Sequence, residues 1–157
     1  MSEADCNRNL KLLTIFTIFL NSFFLLPIIL PFYRDEMGLS FHDFLIGECL
    51  FYVVLIVCDV PAGYLADRWG RRKTLILGPF MLALAYISLA SATGFWSAIF
   101  AQGFIGVGIA CVSGANSALL YDTLLSQGRE GEYRKREGFR FALQLYTCAL
   151  ASIVGGY

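Results

Sequence analysis

The stretch Asp59-Val60-Pro61-Ala62-Gly63-Tyr64-Leu65-Ala66-Asp67-Arg68-Trp69-Gly70-Arg71-Arg72-Lys73 decides how the chain folds. It sets four cations and two carboxylates between two long apolar runs, and it holds no residue suited to covalent chemistry. Charge is costly beside hydrocarbon, so a compact ionic knot where one helix leaves a bilayer and the next enters either sets topology or holds a conformational state.

Outward from this knot the chain reads as membrane. Of 157 residues 57% are hydrophobic and 15% charged, with mean hydropathy +0.64. A soluble domain carries about 25% charged residues. Apolar runs at about 12–33, 44–66, 74–92, 95–121 and 139–157 are each long enough to cross a hydrocarbon core of about 30 Å. The expectation is an all-α polytopic membrane protein of about five transmembrane helices. The run 12–33 is too long for a cleavable leader and contains Pro27 and Pro31. Between the runs lie Arg34–Asp43, the knot, a tight turn at Ala92–Phe95, and the charged segment Ser126–Arg140.

Placing the N-terminus in the cytoplasm puts every basic residue except Arg34 on that side, as the positive-inside rule requires. The expected location is the plasma (inner) membrane, with the N-terminus cytoplasmic. The segment 126–140 alternates charge sign and reads as a solvated linker near lipid headgroups. The five cysteines (Cys6, Cys49, Cys58, Cys111, Cys148) lie far apart without metal-ligand spacing, which suits apolar packing.

Polar side chains within apolar runs are the candidates for function. Asn21, Glu48, Gln102, Asn116 and Gln144 are candidates for lining a solute cavity. Asn21 reads equally as an interhelical hydrogen-bonding residue, and Glu48 as a carboxylate reaching the interface. Asp59 reads as a gate or loop organiser, with coupling-proton chemistry as the alternative. Gly106, Ala110, Gly114 and Ala118 form a small-xxx-small ridge that permits close helix approach. Asp122 sits near a helix C-terminus, where the dipole disfavours it, so a cation such as Arg71 or Arg72 is its expected partner. The single histidine, His42, falls in an outer loop and no H-E-x-x-H occurs. An enzyme, a metal site and a cofactor are therefore not expected, nor is nucleic-acid binding.

The pattern G-x-x-x-D-R-x-G-R-R-K over Gly63–Lys73 resembles the loop between the second and third helices of major facilitator superfamily (MFS) transporters. Ser113-Gly114-Ala115-Asn116-Ser117-Ala118-Leu119-Leu120-Tyr121-Asp122-Thr123-Leu124 is similar to the fourth-helix end of many bacterial members. The resemblance implies the N-terminal half of an MFS bundle, transporting a small-molecule substrate by alternating access between two halves. It implies that Asp67 meets a helix N-terminus of the second half and that Arg71 pairs with Asp122. Gly63 and Gly70 would supply close approach and a tight turn. The latch set is then Asp59, Gly63, Asp67, Arg68, Gly70, Arg71, Arg72, Lys73 and Asp122. Two positions depart from the pattern: Gln102 stands where an arginine linked to proton coupling often lies, and Ala151-Ser152 replaces a Gly-Pro pair. Five helices fall short of the twelve-helix plan, so the chain reads as truncated, needing its C-terminal half or a partner chain besides the lipid bilayer. The competing reading is a small assembly or regulatory subunit.

Overall fold

A computed structural model describes residues 3–22 and 26–156. Helices α1 (Glu3–Leu20) and α2 (Leu26–Pro31) lead into a π-helical turn (Phe32–Glu36). Three long helices follow: α3 (Phe41–Trp69), α4 (Arg71–Ala90) and α5 (Phe95–Leu125). A short 3₁₀ turn (Glu130–Glu132) then opens α6 (Tyr133–Gly155). Among the described residues there is no strand. Among the described residues four segments are long and apolar enough to cross a membrane: α3, α4, α5, and the stretch Glu130–Gly155. Of the expected span 12–33, α1 ends at Leu20 with a turn at Asn21 and α2 begins at Leu26, while residues 23–25 lie outside the described residues.

The chain divides into two compact units, residues 29–115 and residues 1–28 with 116–157. In the first, α3 starts on a capping box: Ser40 Oγ accepts from the Asp43 amide at 3.2 Å, and the Ser40 amide donates to Asp43 Oδ2 at 3.0 Å. That satisfies end donors which a helix otherwise leaves open. The helices then meet through small residues. A Cβ on Gly108 would come within 3.0 Å of the Gly78 carbonyl, so α4 and α5 touch backbone to backbone. One on Gly106 would sit 3.1 Å from the Phe51 carbonyl of α3. Ala62, Ala110 and Cys111 close one core cluster, and Tyr33, Met37, Leu89, Ala98 and Ala101 close another. The expected ridge thus serves α3 through Gly106, while Gly78, not singled out by the sequence pattern, pairs with Gly108 toward α4.

In the second unit α1 packs against α6 and the last turns of α5, burying Leu10, Leu13, Leu120 and Leu124. Cys6 is buried there, its thiol donating to the Thr123 carbonyl at 3.6 Å. All five cysteines are free thiols.

Large apolar side chains face outward along the long helices, Val60 at 79% exposure and Trp96 at 80% among them. A water-soluble fold does not leave contiguous apolar surface of this extent uncovered. Hydrocarbon is the solvent that suits it.

Candidate functional site

The ionic knot is helical almost throughout. Residues 67–69 complete α3, residues 71–73 begin α4, and Gly70 alone joins them. Gly70 has φ 100°, ψ 132°, a conformation that side chains with a Cβ rarely adopt. Its amide donates to the Ala66 carbonyl at 3.1 Å, and its own carbonyl accepts from the amides of Lys73 at 3.0 Å and Thr74 at 3.3 Å. One residue therefore ends a helix, starts the next, and fixes the angle between them. The sequence had placed a loop over Asp67–Lys73; one glycine able to serve as both caps makes a longer loop unnecessary.

This arrangement fans the knot's charges around the joint. Arg71 Nη2 lies 3.6 Å from Asp67 Oδ1, with the Asp67 side chain 70% exposed. Arg68 donates to the Tyr64 hydroxyl at 2.9 Å and lies 5.7 Å from the centre of its ring. Arg72 and Lys73 are exposed, and among the described residues no carboxylate pairs with either. Deeper in α3, Asp59 Oδ1 accepts from Ser113 Oγ at 3.2 Å, tying α3 to α5. Gly63 has open space where a Cβ would point. The near approach is made by its Cα, 4.0 Å from a Cβ placed on Gly114, which is ordinary contact.

A second cluster lies in the same unit. Gln102, 3% exposed, donates through Nε2 to Glu48 Oε1 at 3.0 Å, and Gly47 leaves room for its side chain. Tyr33, 2% exposed, turns its hydroxyl toward Gln102 without a hydrogen bond of ordinary geometry. Glu48 and Gln102, separate candidates in the sequence, are thus one interhelical pair. Beyond the apolar run, Arg34 holds Asp35 in a two-pronged pair at 2.7 and 3.2 Å. Those hydrogen bonds, then the charge itself, lower the Asp35 carboxyl below the usual carboxylate range.

The unit made of residues 1–28 and 116–157 holds the remaining candidates. Asn21 is buried and donates to the Thr17 carbonyl of its own helix at 2.8 Å, closing the end of α1. Asn116 is buried, and among the described residues its Oδ1 has no hydrogen-bond partner. Gln144 is exposed. Asp122 lies within α5, which continues to Leu125, beyond the expected end of that span.

Sequence reasoning missed a network in this unit. Ser117 Oγ of α5 donates to Glu137 Oε1 at 2.6 Å, and Arg140 Nη1 donates to Glu137 Oε2 at 3.1 Å. Arg140 also reaches Thr17 Oγ1 of α1 through Nε and Nη2, both at 3.4 Å. The segment expected to be a solvated linker is already α6 from Tyr133, and Arg140 is 7% exposed. The available signal was spacing: Glu137 and Arg140 stand one helical turn apart, at the edge of an apolar run.

Comparison with known proteins matches residues 12–156 to the model of the Major Facilitator Superfamily. An uncharacterized transporter of Buchnera aphidicola subsp. Acyrthosiphon pisum is 29% identical over 82% of this chain and 33% of its own length. One from Buchnera aphidicola subsp. Schizaphis graminum is 30% identical over 56% of the chain and 22% of its own length. A protein of Planococcus maritimus named a Na(+), Li(+), K(+)/H(+) antiporter is 23% identical over 99% of the chain and 36% of its own length. The chain thus spans roughly a third or less of these relatives. No solved structure matches.

Proposed function

Because the chain belongs to the Major Facilitator Superfamily, we propose that it forms the first part of a secondary transporter. That transporter moves a small solute by alternating access, and the α3–α4 joint is its conformational latch. The observation that carries this reading is Gly70: a single-residue joint concentrates four cations and Asp67 at one corner. A hinge of this kind turns a small change in charge pairing into a change in helix angle.

The contact already present at the joint is weak. An exposed pair at 3.6 Å contributes about 0–1 kcal/mol, so Arg71 can exchange Asp67 for another carboxylate at little cost. In this reading Asp122 is that carboxylate in the latched state, and Asp67 meets a helix N-terminus contributed by the remaining part of the transporter. Arg68, Arg72 and Lys73 hold the corner at the headgroup level of the cytoplasmic leaflet of the plasma membrane, with the N-terminus on the same side. Arg34, the one cation this orientation leaves outside, is already neutralised by Asp35. Glu48 and Gln102 are then the polar pair offered toward a transported solute. The antiporter name of one relative makes monovalent cations the first cargo to assay.

The test replaces the native cysteines and introduces a reporter by Arg72→Cys in the membrane-embedded protein. Asp122→Asn should raise its reaction rate with an impermeant maleimide about two- to fivefold, as expected for loss of a pair worth about 0.5–1 kcal/mol. Unchanged accessibility removes the latch.

A further inference from the structure

A cavity of about 390 Å³ opens in the unit made of residues 1–28 and 116–157, between α1 and the start of α6. Its polar wall is Lys135, Arg136, Arg140 and Glu132, and its apolar wall includes Leu10 and Phe139. We propose that this cavity binds a phosphate group carried on an apolar tail, an anionic phospholipid being the source that its two walls fit together. The inference stands apart from the transport reading and does not depend on it.

The charge balance comes first. Lys135, Arg136 and Arg140 share this wall with one carboxylate, and that carboxylate is occupied, as is Glu137, which holds Arg140. Glu132 accepts from Arg129 at 2.8 and 3.0 Å and from Arg136 at 2.9 Å. Among the described residues no carboxylate pairs with Lys135.

Arg140 adds a second observation. It is buried, yet its hold on Thr17 is two long contacts at 3.4 Å to one hydroxyl. Glu137 takes Nη1, so each of the three Arg140 nitrogens has one partner, while among the described residues two of its five N–H hydrogens are left over. Buried guanidinium donors call for a strong acceptor, and phosphate oxygens match their fork.

The helix itself points the same way. The first turn of α6 holds Arg134, Lys135 and Arg136 and no acidic residue. The N-cap Glu132 offsets part of this charge by holding Arg136, and a further anion seated beside Lys135 would offset the rest. The apolar wall selects the carrier. Phe139 is 62% exposed, so its ring offers an acyl chain a surface that a soluble phosphate ester would leave wet.

The test measures binding to the purified chain in a neutral detergent by native mass spectrometry. The probes are dioleoyl phosphatidylglycerol, dioleoyl phosphatidylcholine and glycerol 3-phosphate. Phosphatidylglycerol should bind saturably and tighter than phosphatidylcholine, and Lys135→Gln should weaken it about fivefold, the contribution of one lysine beside an anionic headgroup. Arg134→Gln, outside the cavity, should leave the affinity unchanged, and Phe139→Ser should weaken the lipid alone. Saturable glycerol 3-phosphate binding that is lost in Lys135→Gln, with no preference among lipids, would keep the phosphate site and make its source soluble. Equal losses in Lys135→Gln and Arg134→Gln would reduce the effect to diffuse surface charge and overturn the proposal. Absence of saturable binding to all three probes would overturn it too.

Discussion

Two polar regions of this molecule are built on opposite principles. At the α3–α4 joint the charges, Arg71 excepted, are exposed, and all are spread around a single glycine. In the network of Thr17, Ser117, Glu137 and Arg140 the charges are few, sheltered and hydrogen-bonded across three helices. Solvent screens exposed charges such as Asp67, so pairs of this kind are individually small. The network is shielded, so breaking it leaves a charge with nowhere to go. The proposed function asks the first to change partners during motion; the second ties α1, α5 and α6 together.

The largest expected effect lies in the network. Glu137→Ala removes the carboxylate from Arg140, whose side chain is 9% exposed, and the acceptor from Ser117. Breaking a fully buried pair costs about 3–5 kcal/mol; because the Glu137 side chain is 33% exposed, about 2–3 kcal/mol is expected. Denaturant unfolding in detergent micelles measures it. The double variant Glu137→Met with Arg140→Met should recover most of the loss, since no unpaired charge remains. A loss below about 1 kcal/mol for the single variant would erase the contrast between the two regions.

Next comes a site that separates the joint from the helices it connects. Gly78→Ala sets a methyl group 2.9 Å from the Gly108 carbonyl and against Val112. Neither backbone can retreat without unpacking α4 from α5, and overpacking of this kind costs about 1–3 kcal/mol. Thermal unfolding should shift down accordingly, while Gly103→Ala, where nothing lies within 4 Å, should not.

At the joint itself, Gly70→Ala forces a residue with a Cβ to φ 100°, ψ 132°. The strain is about 1–2 kcal/mol, and the helices can relieve part of it by reopening the turn. The sharper readout is the angle: a spin-label pair on α3 and α4 should show a broadened distance distribution. An unchanged distribution would mean that Gly70 does not set the geometry.

Much of this was legible in the sequence, and for physical reasons. Apolar runs of bilayer length announce spanning helices because hydrocarbon tolerates little else. The charges of the Gly63–Lys73 stretch are visible because they sit where charge is expensive. Helix ends were less legible: the knot read as a loop, since clustered charge looks like solvent, whereas one glycine caps both helices. Arg140 was hidden by its neighbours. In a segment alternating Arg129, Glu130, Glu132, Arg134, Lys135, Arg136 and Glu137, one more cation looks solvated, and only the helical register of α6 turns it toward Thr17. The Gly78–Gly108 contact was equally invisible, because it depends on which faces of α4 and α5 meet.

The smallest effect is expected where the sequence pattern is loudest. Asp67→Asn removes the carboxylate charge from a pair whose atoms stand 3.6 Å apart and whose aspartate side chain is 70% exposed. Such a pair is worth at most about 0.5 kcal/mol here, and raising salt from 0.1 to 1 M should abolish even that, since the screening length falls from about 10 to about 3 Å. Equilibrium unfolding at the two salt concentrations would measure both quantities. A loss above about 1 kcal/mol, insensitive to salt, would mean that Asp67 braces the joint as Glu137 braces the network. The two regions would then share one principle. A null effect on stability, joined to altered maleimide accessibility at the Arg72→Cys reporter, would show a charge kept for which state the helices occupy rather than for how firmly they fold.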